Sequence, residues 1–422
     1  SDHDSLLEGY MALTMIVLGF CLIVPSLVVG LIRVTLMIIS PMQTQVVRMA
    51  IRGISAGISR TGLAVAALTV AVSVTVGVGV MIGSLRHTVI VWLEQSLNGD
   101  IYIAPASPNN ISSVNSLMHE LVEVDGIRRV TSNRVLNVES EFGPVRLMAI
   151  TPNGVELRMP IKSSLQGATE LFSTGQGVLI SEPLAYHRQL GTGDTLSLHT
   201  RKGPRQFPIV GVFYDYTSTH GMVAMQRDLY RHWWGDDSIS GLTVYGNDGI
   251  ATETLRNSIR TVIGSRQAQF LVISNSEIRQ NAMGIFDRTF VITDVMRILA
   301  VLVAFIGVLS ALIALQLERA REFGILRATG MTPGQVRVMI IVQTLLMGLF
   351  AGLLAIPLGL LMADVLIEVI NRRAFGWSMQ QILPPVVLVQ AMSLALISAF
   401  LAGLYPAQKA ATISPATALR EE

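Results

Sequence analysis

The feature that most constrains this chain is a pair of charge-free apolar stretches held apart by a short, arginine-rich insert. Ile298 to Leu315 carries no charged residue, and neither does Met339 to Met362. Each is close to the roughly 20 apolar residues that an α-helix needs to cross a hydrocarbon core. Segments of this kind satisfy their backbone polar groups internally as helices in lipid. The insert, LERAREFGILRATGMTPGQVRVM, has a pattern of its own: Ala320, Phe323 and Leu326 share one helical face, while Arg319, Glu322 and Arg327 are polar. Gly330 stops that helix. Thr332 starts the next as N-cap, with Pro333 in its first turn and Gln335 at the spacing of a capping box. Two spans tied by a capped elbow imply a stiff element that presses on something outside the membrane. The alternative is an ordinary loop whose arginines only mark the cytoplasmic side.

Half of the 422 residues are hydrophobic (51%) and only 14% are charged, the balance of a membrane protein and not of a large soluble enzyme. A net charge of +2 gives no reason to expect nucleic acid as a partner. The lysines are Lys162, Lys202 and Lys409, so the basic character comes from arginines, which gather at span edges. Cys21 is the single cysteine, which excludes an intrachain disulfide and a cysteine-based metal cluster.

Hydropathy gives about five spans: Tyr10 to Ile32, Thr61 to Leu85, Ile298 to Leu317, Met339 to Met362 and Leu383 to Leu404. Between the first two lies MQTQVVRMAIRGISAGISR. Val47, Ile51, Ile54 and Ile58 fall on one face of it beside Arg48 and Arg52, the pattern of an amphipathic helix lying on the bilayer. Arg48, Arg52 and Arg60 in one loop, with Arg319, Arg321, Arg327 and Arg337 in another, assign both loops to the cytoplasm. The N-terminus is then outside. On this reading residues 1–40 are the last span of a missing N-terminal half, the full protein having two related membrane units; the alternative is a complete five-span protein.

Residues 93–286 form one large region outside the membrane, of mixed α and β pattern. Asp100 to Ala104 and Val130 to Val138 read as strands around the helix SVNSLMHELVEV, and Gly241 to Tyr245 and Gln269 to Ile273 as strands around ATETLRNSIRTVI. Two such units suggest a split, ferredoxin-like α+β subdomain. A β-rich piece, about Gly175 to Arg231, is inserted into it. Asn275 to Arg288 reads as a helical stalk returning to the membrane.

Several chemistries are excluded. None of the lysines follows a glycine-rich P-loop, so this chain does not cradle ATP phosphates that way. Gly53 to Gly57 satisfies G-x-S-x-G but lacks the strand and sharp turn that expose a nucleophile. His119-Glu120 lacks a second zinc histidine, and the 7 histidines are scattered. No catalytic, cofactor or metal residue is assigned. Gly79 with Gly83, and Gly348 with Gly352, have the four-residue spacing that lets helices approach closely, either within the chain or against another subunit. Asp294 and Arg297, one turn apart, read as a solvated pair or as a gate.

The run EFGILRATGMTPGQV followed by QTLLMGLFAGLLAIPLG, with the tail GLYPAQKAATISPATALR, resembles the FtsX-like permease domain of ABC transporters of the MacB, LolCDE and YbbP kind. RMAIRGISAGISRTGLAVAALTVA followed by SLNGDIYIAP is similar to the start of the same unit, and 93–286 resembles a MacB-like core domain. One departure is Gln343, where many relatives carry glutamate. The resemblance implies a layout of 1–40 as a span ending an earlier unit, 41–60 as a cytosolic amphipathic helix, 61–92 as span and stalk, 93–286 as the extracytoplasmic domain and 287–422 as the permease domain. It also implies that Arg319, Glu322, Phe323, Leu326, Arg327 and Gly330 form a coupling helix docked on a separate cytosolic ATPase dimer, which binds the ATP and Mg. Further implied partners are a second permease unit, membrane lipid and an extracytoplasmic protein, in a bacterial cytoplasmic membrane with the C-terminus inside. The implied function is extraction or export of a lipid, lipoprotein or other hydrophobic substrate. The alternative is a membrane-anchored sensor, scaffold or mechanotransmitter without transport.

Overall fold

The apolar N-terminal run is one helix, α1 (Leu6–Ile39), with Pro25 inside it. The computed structural model describes residues 6–39, 45–56, 58–107, 111–151, 159–219, 221–318 and 325–412. They divide into a helical unit (Ser1–Leu85, Thr289–Arg373 and Met379–Glu422) and an αβ unit (Arg86–Arg288 with Ala374–Ser378). After α1 come α2 (Gln45–Ala56) and α3 (Ile58–Ser96). At about 1.5 Å per residue, α3 is nearly twice as long as a hydrocarbon core is thick. Its last residues, from Arg86, belong to the αβ unit.

The αβ unit then runs β1 (Ile101–Pro105), α4 (Ile111–Val122), β2 (Ile127–Ser140), β3 (Gly143–Ile150), β4 (Ile161–Ser164), α5 (Ala168–Ser173), β5 (Val178–Ser181), α6 (Glu182–Arg188) and β6 (Thr195–Thr200). It continues with β7 (Gly203–Phe213), β8 (Met222–Gln226), α7 (Arg227–Trp234), β9 (Gly241–Gly246), α8 (Thr252–Ile263) and β10 (Phe270–Ser274). The return is by α9 (Asn275–Glu318), α10 (Pro333–Asp364) and α11 (Pro385–Thr412).

The strands make one mixed sheet in the order β10-β1-β9-β2-β3-β8-β5-β7-β4, with β6 paired to β2 and β7. The expected inserted piece is therefore no separate sheet. The join is β2, whose residues from Ile127 to Asn133 pair with β9 while those from Asn133 to Ser140 pair with β3. On one side of the join, β10, β1, β9 and the first half of β2 are antiparallel neighbours. Ile101, Ile103 and Val244 of these strands bury against Leu117 and Leu121 of α4 and Ile259 of α8. On the other side, Leu147, Ile180, Leu198, Ile209 and Val223 pack with Tyr230 and Trp234 of α7.

In the helical unit a continuous core joins Val24, Val28 and Ile32 of α1, Leu68, Val72, Val76 and Val80 of α3, Phe350, Ala351 and Leu354 of α10, and Ala391, Ala395, Ala399 and Ala402 of α11. Ile51 and Ile54 of α2 are 0% exposed within it. At Ile51 and Ile54 the face of α2 that the sequence assigns to the bilayer is thus covered by protein, while Arg48 and Arg52 are exposed. A periodic apolar stripe states that a surface must be covered; it does not distinguish lipid from a neighbouring helix. Among the described residues four helices are long and apolar enough to cross a membrane: Leu6–Met37, Thr61–Ser96, Pro333–Phe375 and Pro385–Thr412. The other expected span, Ile298 to Leu317, lies within α9, several of whose side chains fall outside the described residues.

Candidate functional site

The elbow before α10 is built from backbone geometry that its residue types dictate. The helical turn 325–328 ends where the Gly330 N–H donates to the Arg327 carbonyl (3.2 Å) and the Met331 N–H to that of Leu326 (3.0 Å). Gly330 takes φ +106°, a left-handed conformation that side chains with a Cβ resist. Thr332 then caps α10: its Oγ1 accepts from the Gln335 N–H (3.3 Å), and Gln335 Oε1 accepts from the Thr332 N–H (2.9 Å). The chain turns within two residues, and the cap pairs the Thr332 and Gln335 amides.

This elbow is braced. Leu326 and Met331 pack on Ala50 of α2, Val336, Met339 and Ile340 of α10, and Ala407 and Ala410 of α11. Arg327 Nη1 donates to the Ala411 carbonyl (3.2 Å). Leu326 and Arg327, which the sequence places at a partner contact, thus already hold the elbow to its own unit. The neighbouring Ile325 is 46% exposed, and Gly330, Gln335 and Arg337 are exposed as well. Arg319, Glu322 and Phe323 lie outside the described residues, as do the side chains of Asp294 and Arg297.

The paired glycines sit where helices touch inside the helical unit. A Cβ on Gly348 would stand 2.5 Å from the Ala399 Cβ and 2.8 Å from the Ala395 carbonyl oxygen. At Gly352 it would meet Met392 Sδ at 2.9 Å, at Gly79 a Val387 methyl at 3.0 Å, and at Gly83 the Pro384 ring at 2.9 Å. Gly359, which the spacing argument passed over, is as close: its Cβ would be 2.4 Å from the Val76 Cβ. It lies seven residues beyond Gly352, two turns along the same face, and that interval was its available signal.

In the αβ unit the ends of α3 and α9 run together as a two-helix stalk. Asn275 Nδ2 donates to the Leu97 and Gly99 carbonyls (2.8 and 2.9 Å). Arg86 pairs with Asp287 (3.4 Å) and Arg279 with Glu94 (3.9 Å), both partly exposed and individually weak. Glu277 is held below the usual carboxylate range by the Ser274 N–H and by Arg256, 2.6 Å away. A feature without a sequence signal is the segment Ala374–Ser378, which belongs to this unit. Trp377 stands between Phe375 (4.8 Å, stacked) and Tyr216 (5.6 Å, edge-on), and Tyr216 also meets Trp92 of the stalk (5.8 Å). The Tyr216 hydroxyl donates to the Ser378 carbonyl (2.8 Å), and the Ser378 N–H donates to Glu182 (3.2 Å), a buried carboxylate that also pairs with Lys162.

Comparison with known proteins follows this division. Residues 295–415 match the model of the FtsX-like permease C-terminal domain, and residues 61–262 that of the MacB-like periplasmic core domain. An uncharacterized ABC transporter permease protein of Mycobacterium tuberculosis, Rv0987, is 34% identical over 437 residues, covering 99% of this chain and 50% of that protein. The macrolide export ATP-binding/permease protein MacB of a Shewanella species is 25% identical over 215 residues, covering 50% of this chain and 31% of that protein. The crystal structure of the periplasmic region of MacB from Actinobacillus actinomycetemcomitans aligns with a TM-score of 0.34 at 15% identity, over 44% of this chain and 94% of that one. The chain spans half the length of the first relative and about a third of the second. The chain thus carries an FtsX-like permease C-terminal module after a MacB-like periplasmic core module, and along nearly all of its length it is similar to an ABC transporter permease.

Proposed function

We propose that this chain is the non-catalytic permease part of an ABC transporter and that a separate cytosolic ATPase dimer drives it through the elbow around Gly330. The observation that carries this reading is the brace: a capped turn fixed to α2, α10 and α11 delivers a push to three helices at once. The ATPase supplies ATP hydrolysis when bound; this chain supplies the lever. α3 and α9 each contribute residues to both units, and in this reading they carry the displacement outward. In this reading the elbow and α2 lie in the cytoplasm, the αβ unit lies outside a bacterial inner membrane, and β10, β1, β9 and the first half of β2, with α4 and α8, are the ferredoxin-like part of its one sheet. A second permease unit completes the assembly. The nearly charge-free spans suit a hydrophobic cargo such as a lipid or lipoprotein, handled at the outer leaflet, better than a polar solute passing through a channel.

The test is co-purification of the ATPase that associates with the wild-type chain. Phe323→Asp and Ile325→Asp each place a charge where an apolar side chain would enter a partner's groove. Burial of an unpaired charge costs several kcal/mol, enough to abolish a micromolar contact. Both variants are expected to lose the ATPase, whereas Arg337→Ala, beyond the capped start of α10, keeps it. Retention of a fully active ATPase by both Asp variants would remove the elbow from the mechanism and leave α2 as the next contact to test.

A further inference from the structure

The αβ unit holds a cavity of about 300 Å³ at the join in β2, open to solvent and at the lower end of the size range of small-molecule sites. Its floor follows from strand register. Tyr102 of β1 and Thr131 of β2 both pair with Thr243 of β9, so the three side chains form one row across the sheet. Ile101, Ile103, Leu242, Val244 and Val130 take the opposite face and bury against α4 and α8. Asn133, two residues beyond Thr131, extends the row opposite Gly241, where a Cβ would stand 3.2 Å from its Oδ1. Apolar surface comes from Trp92 of α3, Phe213 of β7, Met148 of β3 and Met222 of β8. The Trp92 ring is held by its Nε1–H, which donates to the Tyr214 carbonyl (2.9 Å). Ser96, one turn further along α3, lines the same cavity.

What this cavity offers a ligand is hydrogen-bonding capacity without accessible charge. The side chains of Ser96, Thr131, Asn133 and Thr243 have no hydrogen-bond partner among the described residues, and none of their polar atoms is sealed from solvent. Hydroxyls and a primary amide both donate and accept. Asp215, the one carboxyl in the lining, is 3% exposed; its Oδ1 accepts from the Thr217 N–H (2.9 Å) and hydroxyl (2.6 Å), and its Oδ2 is shut off from the cavity. No lysine or arginine stands among the described residues that line the cavity, and the Tyr245 ring already carries the Arg129 guanidinium, 4.9 Å away. An ion would find no counter-charge here, and a wholly apolar guest would leave the floor unpaired, which is costly. A sugar ring suits both surfaces, because its hydroxyls donate and accept at once while its C–H face packs on an aromatic ring.

We propose that this cavity binds one ring of a neutral saccharide, its C–H face against Trp92 and its hydroxyls hydrogen-bonded to Thr131, Asn133 and Thr243. The site is independent of the elbow and of the cargo that the assembly moves. The probes are glucose, N-acetylglucosamine, cellobiose and chitobiose, which do not partition into lipid, titrated calorimetrically into the full chain in lipid nanodiscs. At least one is expected to bind saturably with a Kd of about 1 mM or tighter. Thr131→Val combined with Thr243→Val removes two hydroxyls while keeping the shape of the floor, and weakens that sugar at least about tenfold. Ser96→Phe, which fills the cavity from α3, abolishes its binding. A neutral peptide, N-acetyl-trialanine amide, is titrated in parallel and is expected not to bind. Absence of saturable binding of every sugar at about 10 mM, tighter binding of the peptide than of any sugar, or sugar binding undiminished in the variants overturns the proposal. The two variants probe the site from different elements, and the wild-type titrations decide the matter even if both fail to fold.

Discussion

Asp215 and Asp236 lie in the same domain and titrate in opposite directions: at Asp215, buried at 3% exposure, burial outweighs two hydrogen bonds from Thr217 and raises the pKa. Burial works against the Asp236 carboxylate too, but hydrogen bonds from Tyr230 (2.7 Å) and Ser238 (3.0 Å) and the Arg134 charge 2.9 Å away outweigh it and hold the group far below the ordinary range. A depressed folded-state pKa contributes stability that is complete above the unfolded value of about 4 and is lost as pH falls through the folded value. Asp236→Asn is therefore expected to lower unfolding stability at pH 7 by about 2 kcal/mol, with the gap to wild type narrowing at strongly acid pH. Denaturant titration of both proteins across pH measures it, and a gap that widens on acidification contradicts the assignment. Single residues of this kind were the least legible in the sequence. Gly348 and Gly352 announce a close approach by their spacing, and Gly330 and Thr332 announce a turn. Asp215, Asp236 and Trp377 carry no periodic signal, because what matters about them is which distant strand or loop stands opposite.

Elements were legible in proportion to their length and periodicity. The start of α10 was fixed by Thr332, Pro333 and Gln335, and the helix begins at Pro333. Thr332→Ala removes one half of the capping box, and a loss of about 1 kcal/mol is expected. It is read as faster amide hydrogen exchange at Gly334 and Gln335 with the rate at Met347 unchanged; equal rates at all three positions speak against the cap. Strands with alternating or β-branched patterns, such as Gly241–Gly246 and the part of β2 from Val130 to Val138, were visible in advance. β8, Met222–Gln226, was not: buried along its whole length and pairing with β3 in parallel and β5 antiparallel, it shows neither alternation nor β-branched enrichment beyond Val223. α5, α6 and α7, of 6, 7 and 8 residues, are too short for helical periodicity to emerge from local sequence.

For the whole molecule the arginine bias and the unbroken α3 and α9 make one claim about sidedness that a labelling experiment can settle. In a Cys21→Ala background, Lys202→Cys at the exposed 200–203 turn is expected to react with an impermeant thiol reagent added to intact cells, and Gly330→Cys only after the membrane is opened. Labelling of position 330 from outside inverts the topology and removes the cytosolic elbow with it. The unity of the outer domain was the part of the architecture that the sequence concealed, since a β-rich stretch between two strand-helix-strand units looks detachable. It is not, because β2 gives its first half to β9 and its second to β3, changing neighbours at Asn133. This governs how such a domain can change over evolutionary time. A stretch spanning 143–226 cannot be traded as a cassette between lineages, because the incoming strand must fit the register and twist of the recipient's 133–140 ladder. Turns such as 200–203, which lie outside that ladder, carry no such constraint, so any exchange of parts has to leave the seam at Asn133 together with the strands on both sides of it.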